Sequence, residues 1–180
     1  NVGDCKMSRE EGRKEQTRGK QSIQFSHAVH ILSGASIVGK KEGEGPLGKY
    51  FDVVGEEDGL FGCQCWEEAE SVLQKEAVTM AIRKAKREKW EIRTIYAGDL
   101  LAQTIASSFG IIGFDIPVYG LYGACATMGE ALSLSSMAVA AGYGNYVVAV
   151  TSSHYGSAEK EFRFPLGYGN QRPKAATWTV

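Results

Sequence analysis

The sequence predicts an α/β fold, a mainly parallel mixed sheet flanked by helices, and three observations predict it. Strand-like apolar runs alternate with helix-period runs between residues 66 and 151, the pattern left by units that build a parallel, layered sheet. The 180 residues are 43% hydrophobic and 10% aromatic, enough to bury the core of one ordinary domain. The 22 glycines indicate many tight turns or close backbone approaches between those runs.

Residues 1–22 are polar, with mixed charge and no apolar period, and are expected to be a mobile tail ahead of one unit over 23–180. Residues 28–38 read as a strand kinked at Gly34, and 39–62 as a Gly-rich charged loop. That loop contains Gly43-Glu44-Gly45-Pro46-Leu47-Gly48. The spacing matches a dinucleotide motif, but the glycines do not join a strand to a helix, so a dinucleotide site is rejected. Residues 66–89 predict a helix, with Trp66, Ala69, Leu73, Ala77 and Met80 on one face. Glu67, Glu68 and Glu70 near its start and Lys84, Lys86, Arg87 and Lys89 near its end complement the helix dipole. Residues 91–97 predict a strand closed by Gly98-Asp99, followed by a short helix from Leu101 to Ser108. Residues 116–122 predict a further strand, 126–141 a helix stopped by Gly142, and 145–151 a fully buried strand. The alternation in the last five residues, 176–180, predicts one more strand.

The balance of charge excludes some functions. With 20 basic and 21 acidic side chains the net charge is -1, which offers nothing to attract nucleic acid. The run from Ala131 to Val150 is long enough to suggest a membrane span, but serines, glycines and Asn145 interrupt it, so it reads as a buried helix and a strand. Cys63 and Cys65 flank a single residue, unlike the redox CxxC or a zinc knuckle. With neither a signal peptide nor a glycosylation site in view, a reducing, cytoplasmic-type compartment is expected. His27 and His30 are too isolated to read as metal ligands.

The strongest chemical feature is Gly120-Leu121-Tyr122-Gly123-Ala124-Cys125-Ala126-Thr127, where a strand turns into a helix. A cysteine there sits among unpaired backbone N–H groups that favour a thiolate, and a sharp strand-turn-helix is used to present nucleophiles. The alternative is that Cys125 is a small buried packing residue. A second constellation, Thr151-Ser152-Ser153-His154, follows the 145–151 strand. Binding residues gather beyond the carboxyl ends of strands in such sheets, so Asp99, Cys125 and this group could share one crevice. The alternative is that the serines make turn bonds and His154 lies on the surface. Arg163, Arg172 and Lys174 are candidates to neutralise an anion, or are simply solvated.

At these residues the chain resembles the stage V sporulation protein AD family. The resemblance rests on Lys41-Glu42-Gly43-Glu44-Gly45-Pro46-Leu47-Gly48, Ala97-Gly98-Asp99-Leu100-Leu101, Gly123-Ala124-Cys125-Ala126-Thr127, Thr151-Ser152-Ser153-His154, Glu161-Phe162-Arg163-Phe164-Pro165 and Tyr168-Gly169-Asn170-Gln171-Arg172-Pro173, in register from about Gly19 to Val180. The Gly-Ala-Cys turn alone would indicate only the wider thiolase and ketoacyl-synthase superfamily. The resemblance implies a thiolase-like layered fold of two similar halves, of which this is the N-terminal one, the second being absent. It implies a sporulation protein that binds dipicolinic acid and supports its movement into the developing spore and out at germination. It further implies other spore dipicolinate-transport proteins as partners, a position peripheral to the spore inner membrane after cytoplasmic synthesis, and no cofactor. The ligand-binding set carried over is Cys125, Thr127, Ser152, Ser153, His154, Asp99 and Arg163, with Tyr119 or Tyr155 available to flank an aromatic ring. An acyltransferase with Cys125 as nucleophile is the competing reading, with His154 its one downstream histidine. The bare apolar face of a single half predicts self-association into a homo-oligomer.

Overall fold

A computed structural model describes residues 17–55 and 59–162. The tail up to residue 16, Arg163, Arg172, Lys174 and the strand expected at 176–180 lie outside the described residues. Part of the expected tail is ordered as a small antiparallel hairpin, β1 (Thr17–Arg18) and β2 (Ser22–Ile23).

The strand expected over 28–38 is confined to β3 (Ile37–Val38). Its partner, the parallel β4 (Val53–Val54), is only two residues long, so among the described residues the preceding segment has no ladder to join. Ile31 is 81% exposed, and Ser33 instead donates its hydroxyl to the carbonyl of Ala81 at 2.7 Å. The loop expected over 39–62 holds more structure than its composition suggests: a single-turn helix α1 (Lys40–Gly43), a 3-10 turn at Gly48–Tyr50, and β4. Its glycines serve packing. A Cβ on Gly48 would fall 1.7 Å from the carbonyl oxygen of Gly43, and one on Gly43 would fall 2.2 Å from a Val54 methyl. Asp52 fastens this region to the next helix through a 2.7 Å ion pair with Lys84. The bond from Lys84, then that from the Ser36 N–H, holds the Asp52 carboxyl below its ordinary value.

Helix α2 (Trp66–Lys84) ends five residues before the expected boundary. Lys86 takes a left-handed conformation, φ 53°, and the N–H groups of Lys86 and Arg87 return to the carbonyls of Arg83 and Ile82. This is a helix stop usually assigned to glycine, which is why the sequence did not advertise it. The buried face is also rotated from the expected one. Ala69, Glu70, Leu73, Gln74, Val78 and Ile82 are buried, whereas Trp66 is exposed and Ala77 and Met80 are half-buried.

The central sheet has the order β6-β5-β7, from β5 (Thr94–Gly98), β6 (Val118–Leu121) and β7 (Val147–Thr151). Both pairings are parallel. Side chains alternate across a strand, and β5 uses both faces. Ile95 and Ala97 enter a core with Val78 and Ile82 of α2, Ile111 of α3 (Ile105–Ile111), Ile92, Phe114, Ile116 and Val150. The opposite face is covered by α4 (Thr127–Ala140), where a Cβ on Gly98 would fall 2.3 Å from the Thr127 methyl. These layers give the α/β architecture expected. The fully buried strand expected at 145–151 is a correction: Val147, Val148 and Ala149 are half-buried, because β7 pairs on one side only among the described residues. Gly142, at φ 80°, ends α4 as expected. Among the described residues no helix is long and apolar enough to cross a membrane.

Candidate functional site

The chain leaves β6 at Leu121 and makes a 3-10 turn, Ala124–Ala126, before α4 begins. Cys125 occupies that turn, just ahead of the helix rather than inside it. Its thiol is free and exposed, so the buried packing alternative is set aside. The residue before it, Ala124, is left-handed at φ 48°, a conformation that costs an alanine about 1–2 kcal/mol. Thr127 holds the turn in place. Its buried Oγ1 accepts from the Gly123 N–H at 3.1 Å and donates to the Ala124 carbonyl at 2.7 Å. Thr127 is therefore a positioning residue, and Cys125 the group presented. Among the described residues no side chain caps α4. One charge works against an incoming anion: a Glu130 carboxylate oxygen lies 2.6 Å from where a Cβ on Gly123 would stand.

Behind the same strand ends lies a buried polar chain. Gly98, the last residue of β5, is its hub: its carbonyl accepts from the Ser152 N–H at 3.2 Å and from Gln74 Nε2 at 2.9 Å. Gln74 Nε2 also lies 2.9 Å from Ser107 Oγ and 2.8 Å from Ser152 Oγ. Each serine passes the interaction outward to a carboxylate. Ser152 donates to Glu70 at 2.7 Å, and Ser107 donates to Asp99 at 2.6 Å. Ser157 donates to the other Glu70 oxygen, and the N–H groups of Leu101 and Ser107 complete Asp99. Glu70 and Asp99 are both 0% exposed. Gln74 Oε1 is buried without a hydrogen-bond partner among the described residues.

His154 also faces inward. It is 0% exposed, which overturns the surface alternative. Gly156 donates its N–H to Nδ1 at 3.1 Å, which assigns the ring proton to Nε2, and Nε2 donates to the Gly59 carbonyl. Tyr155 stacks on the imidazole at 5.1 Å between centroids. Both ring nitrogens are thus engaged.

Of the expected binding residues, the structure gathers Thr127, Asp99 and Ser152 around Gly98. It leaves Cys125 and Ser153 exposed and turns Asp99 and His154 inward. Tyr119 is 57% exposed and stacks on Tyr96 at 5.2 Å. Two open grooves, of about 450 Å³ between α2 and α3 and about 610 Å³ beside α3 and β6, are not lined by Cys125. Among the described residues no cluster of three or more His, Cys, Asp or Glu could hold a metal ion. Glu70, Gln74, Ser107 and Ser157 were missed from the sequence. The available signal was the four-residue step from Glu70 to Gln74 to Val78, which continues to Ile82 on one helix face.

Residues 19–180 match the family model for stage V sporulation protein AD. The chain is similar to stage V sporulation protein AD of Bacillus subtilis (strain 168), 38% identical over 164 residues, which is 90% of this chain and 48% of that protein. The chain thus spans about half the length of that relative. A family match that runs through the cysteine turn and the strand-end serines places this chain in the stage V sporulation protein AD family.

Proposed function

We propose that the chain forms part of a sporulation protein that binds dipicolinic acid near Cys125 and supports its uptake into the developing spore and its release at germination. The observation that carries this reading is the exposed cysteine turn at the uncapped start of α4, with the nearest downstream histidine committed elsewhere. Dipicolinate is a flat aromatic dianion at neutral pH. Backbone N–H groups at a helix start suit a carboxylate, and the exposed rings of Tyr119 and Tyr122 offer apolar faces on the adjoining strand end. Acyl transfer needs a base within hydrogen-bond reach of the sulfur, and the engagement of both His154 nitrogens supports binding over catalysis. The family's work beside other dipicolinate-transport proteins, peripheral to the spore inner membrane, belongs to the same proposal. So does self-association: Met128, Leu132 and Met137 on α4 and Val118 on β6 stay exposed, and such an apolar surface is normally covered by a partner.

The test is calorimetric titration with dipicolinate on this chain and on the longer Bacillus subtilis relative, beside intact-mass measurement with acetyl-CoA. The expected result is binding that Cys125→Ala weakens and Glu130→Gln strengthens, with no acyl adduct. Stoichiometric acylation with steady release of CoA, and no dipicolinate heat, supports the acyltransferase reading instead.

A further inference from the structure

At the end of the sheet opposite the cysteine turn, residues 83–93 carry the chain from α2 into β5 and meet residues 143–146, which lead into β7. The parallel pairing sets the starts of β5 and β7 side by side, Thr94 opposite Val147, and Arg93 donates its N–H to the Tyr146 carbonyl at 2.8 Å. A Cβ on Gly144 would fall 2.7 Å from that of Arg93, and the Arg87 guanidinium lies 4.5 Å from the centre of the Tyr146 ring. The two segments therefore form one surface. Within 83–93, six cations stand against two carboxylates, Glu88 and Glu91. Those carboxylates are engaged locally: each accepts the other's backbone N–H across the 3-10 turn Lys89–Glu91, and Glu91 also holds Arg87 at 3.3 Å. Asp52 is held by Lys84. Arg83, Lys86, Lys89 and Arg93 are exposed and make no ion pair among the described residues. Beside them Trp90 and Tyr143 are each 76% exposed. With Asp52 and the exposed Asp115 ahead of β6 included, the balance of charge stays positive.

We propose that this surface docks the protein on a bilayer rich in anionic lipid, with the four free cations over the headgroups and the Trp90 and Tyr143 rings set among them. Lysine and arginine are drawn to an anionic leaflet within a Debye length of it, and indole and phenol rings favour the headgroup level, where one end is apolar and the other wet. The pairing of exposed rings with unpaired cations on one projecting surface is what such a bilayer complements. A single nucleic acid strand would call for a basic groove to track its backbone. Neither of the two open grooves is lined by residues of 83–93 or 143–146, and the chain as a whole carries a net charge of -1. Docked in this way, the protein holds the cysteine turn on the side away from the lipid, so the contact asks nothing of Cys125. The proposal gives a surface to the membrane-peripheral part of the proposed function, rests on that part alone, and is independent of the dipicolinate reading.

The test is flotation of the whole chain, without dipicolinate, on vesicles of phosphatidylcholine and phosphatidylglycerol in equal parts, beside vesicles of phosphatidylcholine alone, at low and high salt. The expected result is flotation with the mixed vesicles only, weakened by salt. Lys86→Glu with Lys89→Glu should weaken it by at least about 25-fold, since each cation at such a surface is worth about fivefold. Trp90→Ala should weaken it severalfold. Lys20→Glu with Lys75→Glu, the same change of charge outside both segments, should weaken it less than about threefold, because screening confines the attraction to charges near the lipid. Circular dichroism of each variant should match the parent chain. Absence of flotation, or equal flotation on both kinds of vesicle, overturns the proposal. Unchanged flotation of the Lys86→Glu, Lys89→Glu variant overturns this surface while leaving a membrane-peripheral position standing, and an equal loss in the Lys20→Glu, Lys75→Glu variant shows that net charge alone is read. Tighter binding of single-stranded RNA or of polyglutamate than of the mixed vesicles, at the same salt, overturns the proposal in favour of that class of partner.

Discussion

The cysteine turn and the buried chain behind it both lie at the carboxyl ends of the sheet, yet they orient their polar groups oppositely. In the turn, one threonine hydroxyl holds the backbone from inside while the cysteine is left exposed. In the chain, two carboxylates, three serines and a glutamine satisfy one another, with only Gln74 Oε1 left over. The difference teaches that position beyond a strand end does not by itself make a residue ligand-facing. Asp99 and Ser152 sit where a site is expected, but their bonds hold α2, α3 and the strand ends in place.

The largest break in this contrast should come from Gln74→Glu. The amide that donates toward Gly98, Ser107 and Ser152 would be replaced by a carboxylate facing acceptors only. A destabilisation of about 3–5 kcal/mol is expected in urea unfolding at neutral pH. The introduced carboxyl would hold its proton more tightly folded than unfolded. The lost stability should therefore return as pH falls toward the ordinary glutamate value, about 4.3, and vanish again as pH rises. Unchanged stability would mean that the chain is not a scaffold. Next is Gly98→Ala, at the junction of the two regions. Its Cβ would meet the Thr127 methyl at 2.3 Å and the Leu121 carbonyl at 2.5 Å, and a loss of about 2–3 kcal/mol is expected, by the cost of overpacking. A smaller effect belongs to Thr127→Val, which keeps the shape but strands the Gly123 N–H and the Ala124 carbonyl. Thermal unfolding should report about 1–2 kcal/mol, with Cys125 still open to alkylation.

Much of the fold was legible because its signals are local. The order of strands and helices from Trp66 to Thr151, the Gly142 stop and the cysteine turn follow from apolar period and glycine placement. Three features were not legible, each for a physical reason. Lys86 stops α2 in a conformation that its side chain does not advertise. The apolar run before β3 looks like a strand, but strand formation depends on a partner elsewhere in the chain. Glu70 read only as a charge that complements the dipole of α2 and Gln74 drew no reading, because the serines that satisfy them come from α3 and from beyond β7. Long-range pairing of polar groups leaves no period to read. In the site, the place of Cys125 at a strand-to-helix turn was legible while its exposure was one of two alternatives, and the inward turn of His154 depends on Gly59, 95 residues earlier.

The separation of Cys125 from His154 is tested most directly by the alkylation rate of Cys125 with iodoacetamide near neutral pH. The comparison is between His154 and His154→Gln in a chain whose other cysteines are serine, since glutamine can still donate to the Gly59 carbonyl. A base acting on the sulfur would be worth about 100-fold or more. The account predicts rates that agree within about twofold, because a histidine with both nitrogens committed elsewhere gives none of that assistance. A fall of about 100-fold in a variant that remains folded would contradict it and would make the pair catalytic.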